Sequence, residues 1–195
     1  MNDTTHIYQK KKAMSKFFCD EVIRYFDNNI KNHRDGCVGL DGEIIINRAH
    51  KNSVDFMLNM HDPLYPINTT LEIILSKNIQ EYTKLYPFLG AKGLPLKISE
   101  SANIQKYHPT GGYTVEHCEY GIRGIYSKRV LAWMFYLNDV TDQGGTRFPR
   151  YNLTLKARAG DLYIWPAYFT HSHMGVPSPT QTKYIVTGWV EFIDI

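Results

Sequence analysis

The feature that most constrains this chain is a change of periodicity near Leu94. Before it, apolar residues recur at helical spacing; after it, they alternate with polar ones. Phe18, Val22, Tyr25, Phe26 and Ile30 make one apolar face of a helix over about 15–31. A second helix is predicted to start at Thr69, where Thr69 and Glu72 can form a capping box. Leu71, Ile74, Leu75, Tyr82 and Leu85 supply its buried stripe, and Pro87 ends it. Between them, Asp41-Gly42 reads as a turn leading into a short strand to Ile46, and 50–66 is polar, Met-rich and unassigned. From Leu94 on, the segments 95–107, 129–138, 160–165 and 182–192 are rich in β-branched and aromatic residues, and Gly, Pro and Asn clusters separate them. Many short strands at this spacing predict an antiparallel sandwich or jelly roll. Helices preceding strands predict a mainly β fold with its helices on one outer face.

Length and charge narrow the options further. A chain of 195 residues suits one domain, 1–195, that buries about 70% of its unfolded surface. Within it, 1–93 reads as helical support with the first strands and 94–195 as the β-core. A net charge of +3 is too small to point to nucleic acid, and Lys10, Lys11, Lys12 and Lys16 read as the solvated face of a helix. Cys19, Cys37 and Cys118 form no CxxC pair, which argues against a disulfide framework and a thiolate zinc site. No apolar run approaches bilayer length, so no membrane partner is expected and a reducing, cytoplasmic setting is.

The chemistry begins at His117-Cys118-Glu119. On a strand, residues two apart share a face, so an imidazole and a carboxylate would converge while Cys118 points away. A third ligand is needed, and His171 and His173 both offer the right parity. Two histidines and a carboxylate on one side of a metal suit non-haem iron(II) oxygenases, although zinc hydrolases use the same ligand types. Lys183 follows, among aromatic and β-branched residues, where a cation can pair with the far carboxylate of a chelating dicarboxylate.

The order of these residues resembles the 2-oxoglutarate oxygenases, specifically the prolyl 4-hydroxylase branch. The shared frame runs from Tyr107 through Tyr113, His117, Glu119, Arg129, Tyr136 and Asn138, then Gly144 to Pro149, Gly160-Asp161, His173, Lys183 and Trp189. The resemblance implies a double-stranded β-helix with iron held by His117, Glu119 and His173. It favours His173 over His171, which becomes a nearby solvated or outer histidine. It also implies 2-oxoglutarate as co-substrate, with Lys183 on its C5 carboxylate, helped by Tyr136, and Tyr107 and Thr187 lining the pocket. Arg129 and Trp189 stand where prolyl hydroxylases contact the target residue, and Asp161 is structural. The implied reaction couples hydroxylation, with O2 and with ascorbate as an accessory, to conversion of 2-oxoglutarate into succinate and carbon dioxide. A prolyl residue in a peptide or protein is the implied substrate.

Glu119 departs from the family's Asp. The extra methylene lets the carboxylate reach further, bind through both oxygens or swing away, yet keeps the charge that a halogenase-type site would lack. The rivals are a same-fold oxygenase acting on a free amino acid, small molecule or nucleobase, and a non-catalytic cupin-like binding module. The segment between Glu119 and Arg129, with two glycines and two tyrosines, is expected to form a mobile lid over an extended substrate. Gly144-Gly145 is expected to be a turn needing positive φ.

Overall fold

The computed structural model describes residues 5–40, 43–91, 94–121 and 124–193. Its strands are β1 (Tyr8–Lys10), β2 (Arg34–Asp35), β3 (Cys37–Leu40), β4 (Glu43–Ile46), β5 (Val54–Asn59), β6 (Leu96–Tyr107), β7 (Arg129–Tyr136), β8 (Thr146–Phe148), β9 (Leu153–Leu155), β10 (Leu162–Pro166), β11 (Met174–Gly175) and β12 (Lys183–Phe192). The helices are α1 (Lys16–Asn28) and α2 (Asn68–Leu85). Seven strands form the major sheet in the order β1-β10-β7-β12-β6-β5-β2, and every neighbouring pair is antiparallel. β11, β8 and β9 make a smaller sheet, and β3 and β4 pair as a separate ribbon. The fold is the jelly roll that the alternation predicts, and agrees with the double-stranded β-helix that the resemblance implies.

β7 shows how the layers arise. All eight of its residues are buried, so both faces of the strand are covered. Leu131, Trp133 and Phe135 join Val22 and Phe26 of α1 and Leu71 and Leu75 of α2 in one core between sheet and helices. Ala132, Met134 and Tyr136 point the other way, into a second core with Phe148, Leu155 and Trp165 between the two sheets. Period two thus divides one strand between two cores. The site lies on the inner face, and the helices stiffen the sheet from behind.

Close packing leaves no spare room at Gly188 on β12. A Cβ there would lie 2.4 Å from Cζ2 of Trp133, which is fully buried. Gly188→Ala should therefore destabilise the protein by about 1–3 kcal/mol through overpacking. Urea unfolding would measure it, and an unchanged midpoint would show that Trp133 can move aside.

Several local expectations need correction. Ser15 caps α1, accepting from Phe18 N, but the helix ends at Asn28, which leaves Ile30 71% exposed. The Thr69 capping box does not form. α2 starts one residue earlier, at Asn68, whose side-chain amide instead donates to the carbonyls of Asn59 and Asp62. Leu85 is exposed at the end of α2 and is not part of its buried stripe. Lys10 lies on β1 and Lys12 in a left-handed turn, so Lys10, Lys11 and Lys12 are not a helix face. The unassigned stretch contains β5, an inner strand of the major sheet. β4 is present as expected, while Asp41-Gly42 falls outside the described residues. Gly144 does adopt positive φ, at 72°.

Candidate active site

His117 and Glu119 do not sit on a regular strand, as the alternation argument supposed. They belong to an irregular run joined to the neighbouring chain by a single antiparallel bridge between His117 and His173. Reciprocal backbone bonds close that bridge, 3.0 Å from His117 N to His173 O and 2.8 Å in return. Glu119 N is fixed separately, donating to Ala167 O at 3.0 Å. The predicted convergence survives because the bridge, rather than a strand, aligns the side chains.

Ligand atoms of His117, Glu119 and His173 lie within 4.8 Å of one another. Glu119 Oε1 is 3.7 Å from His117 Nε2 and 3.5 Å from His173 Nε2. Such gaps suit one ion placed between ligands at about 2.0–2.2 Å. Backbone partners fix the orientation of both imidazoles. His117 Nδ1 is 2.9 Å from Val115 O and His173 Nδ1 is 3.0 Å from His171 O. Nδ1–H donates to each carbonyl, which leaves both Nε2 lone pairs facing the carboxylate. Tyr113 stacks on His117 at 3.7 Å between ring centroids. Burial pushes the His117 pKa down to about 4, with His173 beside it adding to the effect, so this imidazole is neutral at pH 7. Burial alone would raise the Glu119 pKa, but His173, His117 and Arg129 around it outweigh burial and hold the group well below the usual carboxylate range. Neutral imidazole and ionised carboxylate are what a divalent metal requires, so these three residues could hold one.

The cluster opens into a cavity of about 820 Å³, within the range of ligand pockets. Lys183 lines it, is 3% exposed, and lies with Nζ 4.8 Å above the Tyr107 ring. Among the described residues no carboxylate pairs with it, and burial lowers its pKa to about 8. A desolvated ammonium without a counter-ion, facing a cavity, is a receptor for an anion. Ile185, Thr187 and Trp189 follow on the same face of β12 and line the same cavity. Thr187 donates to Trp133 O at 2.8 Å, and the Tyr107 hydroxyl donates to Gln105 Oε1 at 2.7 Å. Tyr136 is fully buried, its hydroxyl 2.8 Å from Thr146 Oγ1. It is Thr146, not Tyr136, that lines the cavity.

Arg129 is 6% exposed and sandwiched between the rings of Trp189, 3.4 Å away, and Tyr126, 4.5 Å away. Its guanidinium donates to Glu119 O at 3.2 Å and stands 3.7 Å from Glu119 Oε2. Trp189 Nε1 donates to the same Oε2 at 2.8 Å. His171 is buried rather than solvated. Its Nε2 is 2.7 Å from Thr5 O and 3.3 Å from the Tyr151 hydroxyl, away from the cluster. Asp161 accepts from Lys12 N at 2.9 Å and from Gln9 at 3.1 Å, a structural role. In the expected lid, Ile122 and Arg123 lie outside the described residues, while 124–128 is a turn of 3₁₀ helix and Tyr120 stacks on Tyr168.

Among the cavity residues that escaped the sequence reading are Thr146, Gln105 and Lys51. Thr146 lies inside the Gly144–Pro149 segment and could have been drawn from it. Gln105 has the parity of Tyr107 on β6. Lys51, paired with buried Asp55 at 2.7 Å, had no signal because its strand neighbourhood was unassigned.

Comparison with known proteins decides the frame. Residues 102–191 match the 2OG-Fe(II) oxygenase superfamily. The chain resembles the 2-oxoglutarate- and iron(II)-dependent oxygenases. That family implies iron(II) and 2-oxoglutarate, and the His-Glu-His cluster fits the metal. Among solved structures, the viral collagen prolyl hydroxylase of Paramecium bursaria Chlorella virus-1 superposes at TM-score 0.69 and 17% identity, covering 99% of each chain. A prolyl 4-hydroxylase of Pseudomonas putida gives 0.72 at 13%, over 98% of this chain and 95% of that one. A prolyl hydroxylase of Trichoplax adhaerens, in complex with a hypoxia inducible factor peptide fragment, gives 0.72 at 15%, over 98% and 85%. No curated protein matches the sequence. Among the described residues, no helix is long and apolar enough to cross a membrane.

Proposed function

We propose that this chain is an iron(II)- and 2-oxoglutarate-dependent dioxygenase that hydroxylates prolyl residues in a peptide or protein. The observation that carries the reading is the buried Lys183 ammonium, facing no carboxylate among the described residues, in the same cavity as the His117–Glu119–His173 cluster. A binding module has no need of a buried cation and a metal triad in one pocket. In this reading the three clustered residues hold iron, and Lys183 pairs with the C5 carboxylate of 2-oxoglutarate. The Tyr107 ring beneath Lys183 and the Thr187 side chain shape the pocket, and Tyr136 acts by orienting Thr146. Bound iron supplies the chemistry that couples decarboxylation of 2-oxoglutarate to insertion of one atom of O2, with ascorbate as an accessory reductant.

Two observations support a peptide. The solved structures named above are prolyl hydroxylases, one of them in complex with a peptide fragment. The cavity lining includes Val38 and Gly39 of β3 and Ile44 of β4, small and apolar residues suited to an extended chain. The whole chain then works as a single oxygenase domain, and three free cysteines suit a reducing cytoplasm. Arg129 is less simple than a substrate contact, because its guanidinium already engages Glu119.

The test is succinate release with and without iron(II), run beside a proline-containing peptide library read by mass spectrometry for gain of one oxygen atom. Iron-dependent succinate and an oxidised prolyl peptide are expected, with free proline a poor substrate. Turnover of a free amino acid or nucleobase, with no prolyl product, would overturn the substrate. Absence of iron-dependent succinate would overturn the enzyme.

A further inference from the structure

A glutamate in place of aspartate gives the carboxylate one more rotatable bond, and the structure shows where that freedom is removed. The two oxygens of Glu119 face different partners. Oε1 points at the Nε2 atoms of His117 and His173, 3.7 and 3.5 Å away. Oε2 points outward, 2.8 Å from the indole Nε1 of Trp189 and 3.7 Å from the Arg129 guanidinium.

The outward donors have further contacts of their own. Arg129 lies between two aromatic rings, is buried, and binds the Glu119 carbonyl at 3.2 Å. Its Nε has no hydrogen-bond partner among the described residues, so the cation is held by packing and by Glu119 rather than by a network that could draw it elsewhere. Trp189 is fixed through its backbone, its carbonyl accepting from Trp133 Nε1 at 3.2 Å. Turning Oε2 toward a metal would strip the indole N–H of its acceptor inside a desolvated site, where a charge-assisted hydrogen bond is strongest.

We infer that Trp189 and Arg129 are positioning residues that hold Glu119 as a one-oxygen metal ligand, Oε1 inward and Oε2 outward. The inference rests on the metal-centre reading above. Its consequence is specific: the pair adapts the site to the longer carboxylate and keeps Oε2 from taking a position that co-substrate or oxygen would need. Substrate contact by the same two residues would be secondary to this work.

The experiment uses Mn²⁺ as probe on the metal-stripped protein, with affinity from calorimetry and the ion's environment from electron paramagnetic resonance. Trp189→Phe keeps the ring and removes the N–H; it should weaken Mn²⁺ binding roughly tenfold to hundredfold and broaden the signal. In a Glu119→Asp background the shorter carboxylate falls short of the indole, so adding Trp189→Phe should change affinity by less than about threefold. A thermal melt of each metal-free variant confirms folding. Arg129→Gln, compared across the same two backgrounds, decides the matter should Trp189→Phe fail to fold, and it should show the same dependence on carboxylate length. Equal losses in both backgrounds, or no loss beside Glu119, would overturn the inference. A folded wild-type protein that does not bind Mn²⁺ would overturn the metal reading and this inference with it.

Discussion

His173→Ala should yield a folded protein that retains no divalent metal and makes no succinate, whereas His171→Ala should keep both capacities. The two histidines are two residues apart, yet the backbone sends them in different directions. His173 Nε2 faces Glu119 Oε1, while His171 is tied to Thr5, Thr170 and Tyr151. Losing His173 leaves one imidazole and a carboxylate, too few to retain a divalent ion against water. Losing His171 removes buried hydrogen bonds but spares the His171 carbonyl, which orients His173 through Nδ1. Its cost is therefore stability, about 1–3 kcal/mol, and not metal. Calorimetric metal titration and chemical unfolding on the same samples separate the two effects. A dead His171→Ala beside an active His173→Ala would reassign the ligand.

Lys183→Met should do two opposite things: stabilise the ligand-free protein and cripple co-substrate binding. Burial lowers the lysine pKa from 10.5 to about 8, so at pH 7 the folded protein carries an ammonium in an environment that disfavours it. The penalty is fully present below about pH 8 and disappears above 10.5, where the unfolded chain also loses its proton. Each pH unit between those two values is worth about 1.4 kcal/mol, so removing the charge should raise stability by roughly 2–4 kcal/mol at neutral pH. The same substitution deletes a charge-assisted pair of roughly 1.5–3 kcal/mol, raising the KM for 2-oxoglutarate about tenfold to a hundredfold. In the unaltered protein, that KM should climb as pH rises past about 8, because the free lysine neutralises. A thermal melt and a KM series would read both arms. Lower stability with an unchanged KM would mean that Lys183 is a packing residue and that the anion sits elsewhere.

The sequence made some of this readable and hid the rest for physical reasons. The resemblance implied Lys183 and Thr187 in one pocket, and the period of β12 does put the two on one face. α1 was legible through its stripe, although its Ser15 cap was seen only in the structure. β5 was not, since Asp55 and Asn59 dilute the apolar signal and buried Asp55 is satisfied by Lys51, Ser53 and Gln105. The Thr69 capping box failed because tertiary carbonyls from Asn59 and Asp62 captured Asn68 first and moved the start of α2. At the site, residue types and order revealed the clustered triad. No pattern could reveal that Trp189 and Arg129 address one oxygen of Glu119, because that depends on two side chains meeting from separate strands.

The ends of the major sheet carry a consequence for solubility. β10, with Leu162, Tyr163, Ile164 and Trp165 all buried, is covered on its outer side by only the three residues of β1. At the far end, β2 contributes two residues, both ionisable. Short, charged margins of this kind give a second molecule little to extend, which is how antiparallel sheets resist stacking edge to edge. The protection is uneven. Were β1 to peel away, the unpaired amides of an apolar strand would be laid bare as a template for fibre growth, so the segment before α1 guards that edge as well as completing the fold.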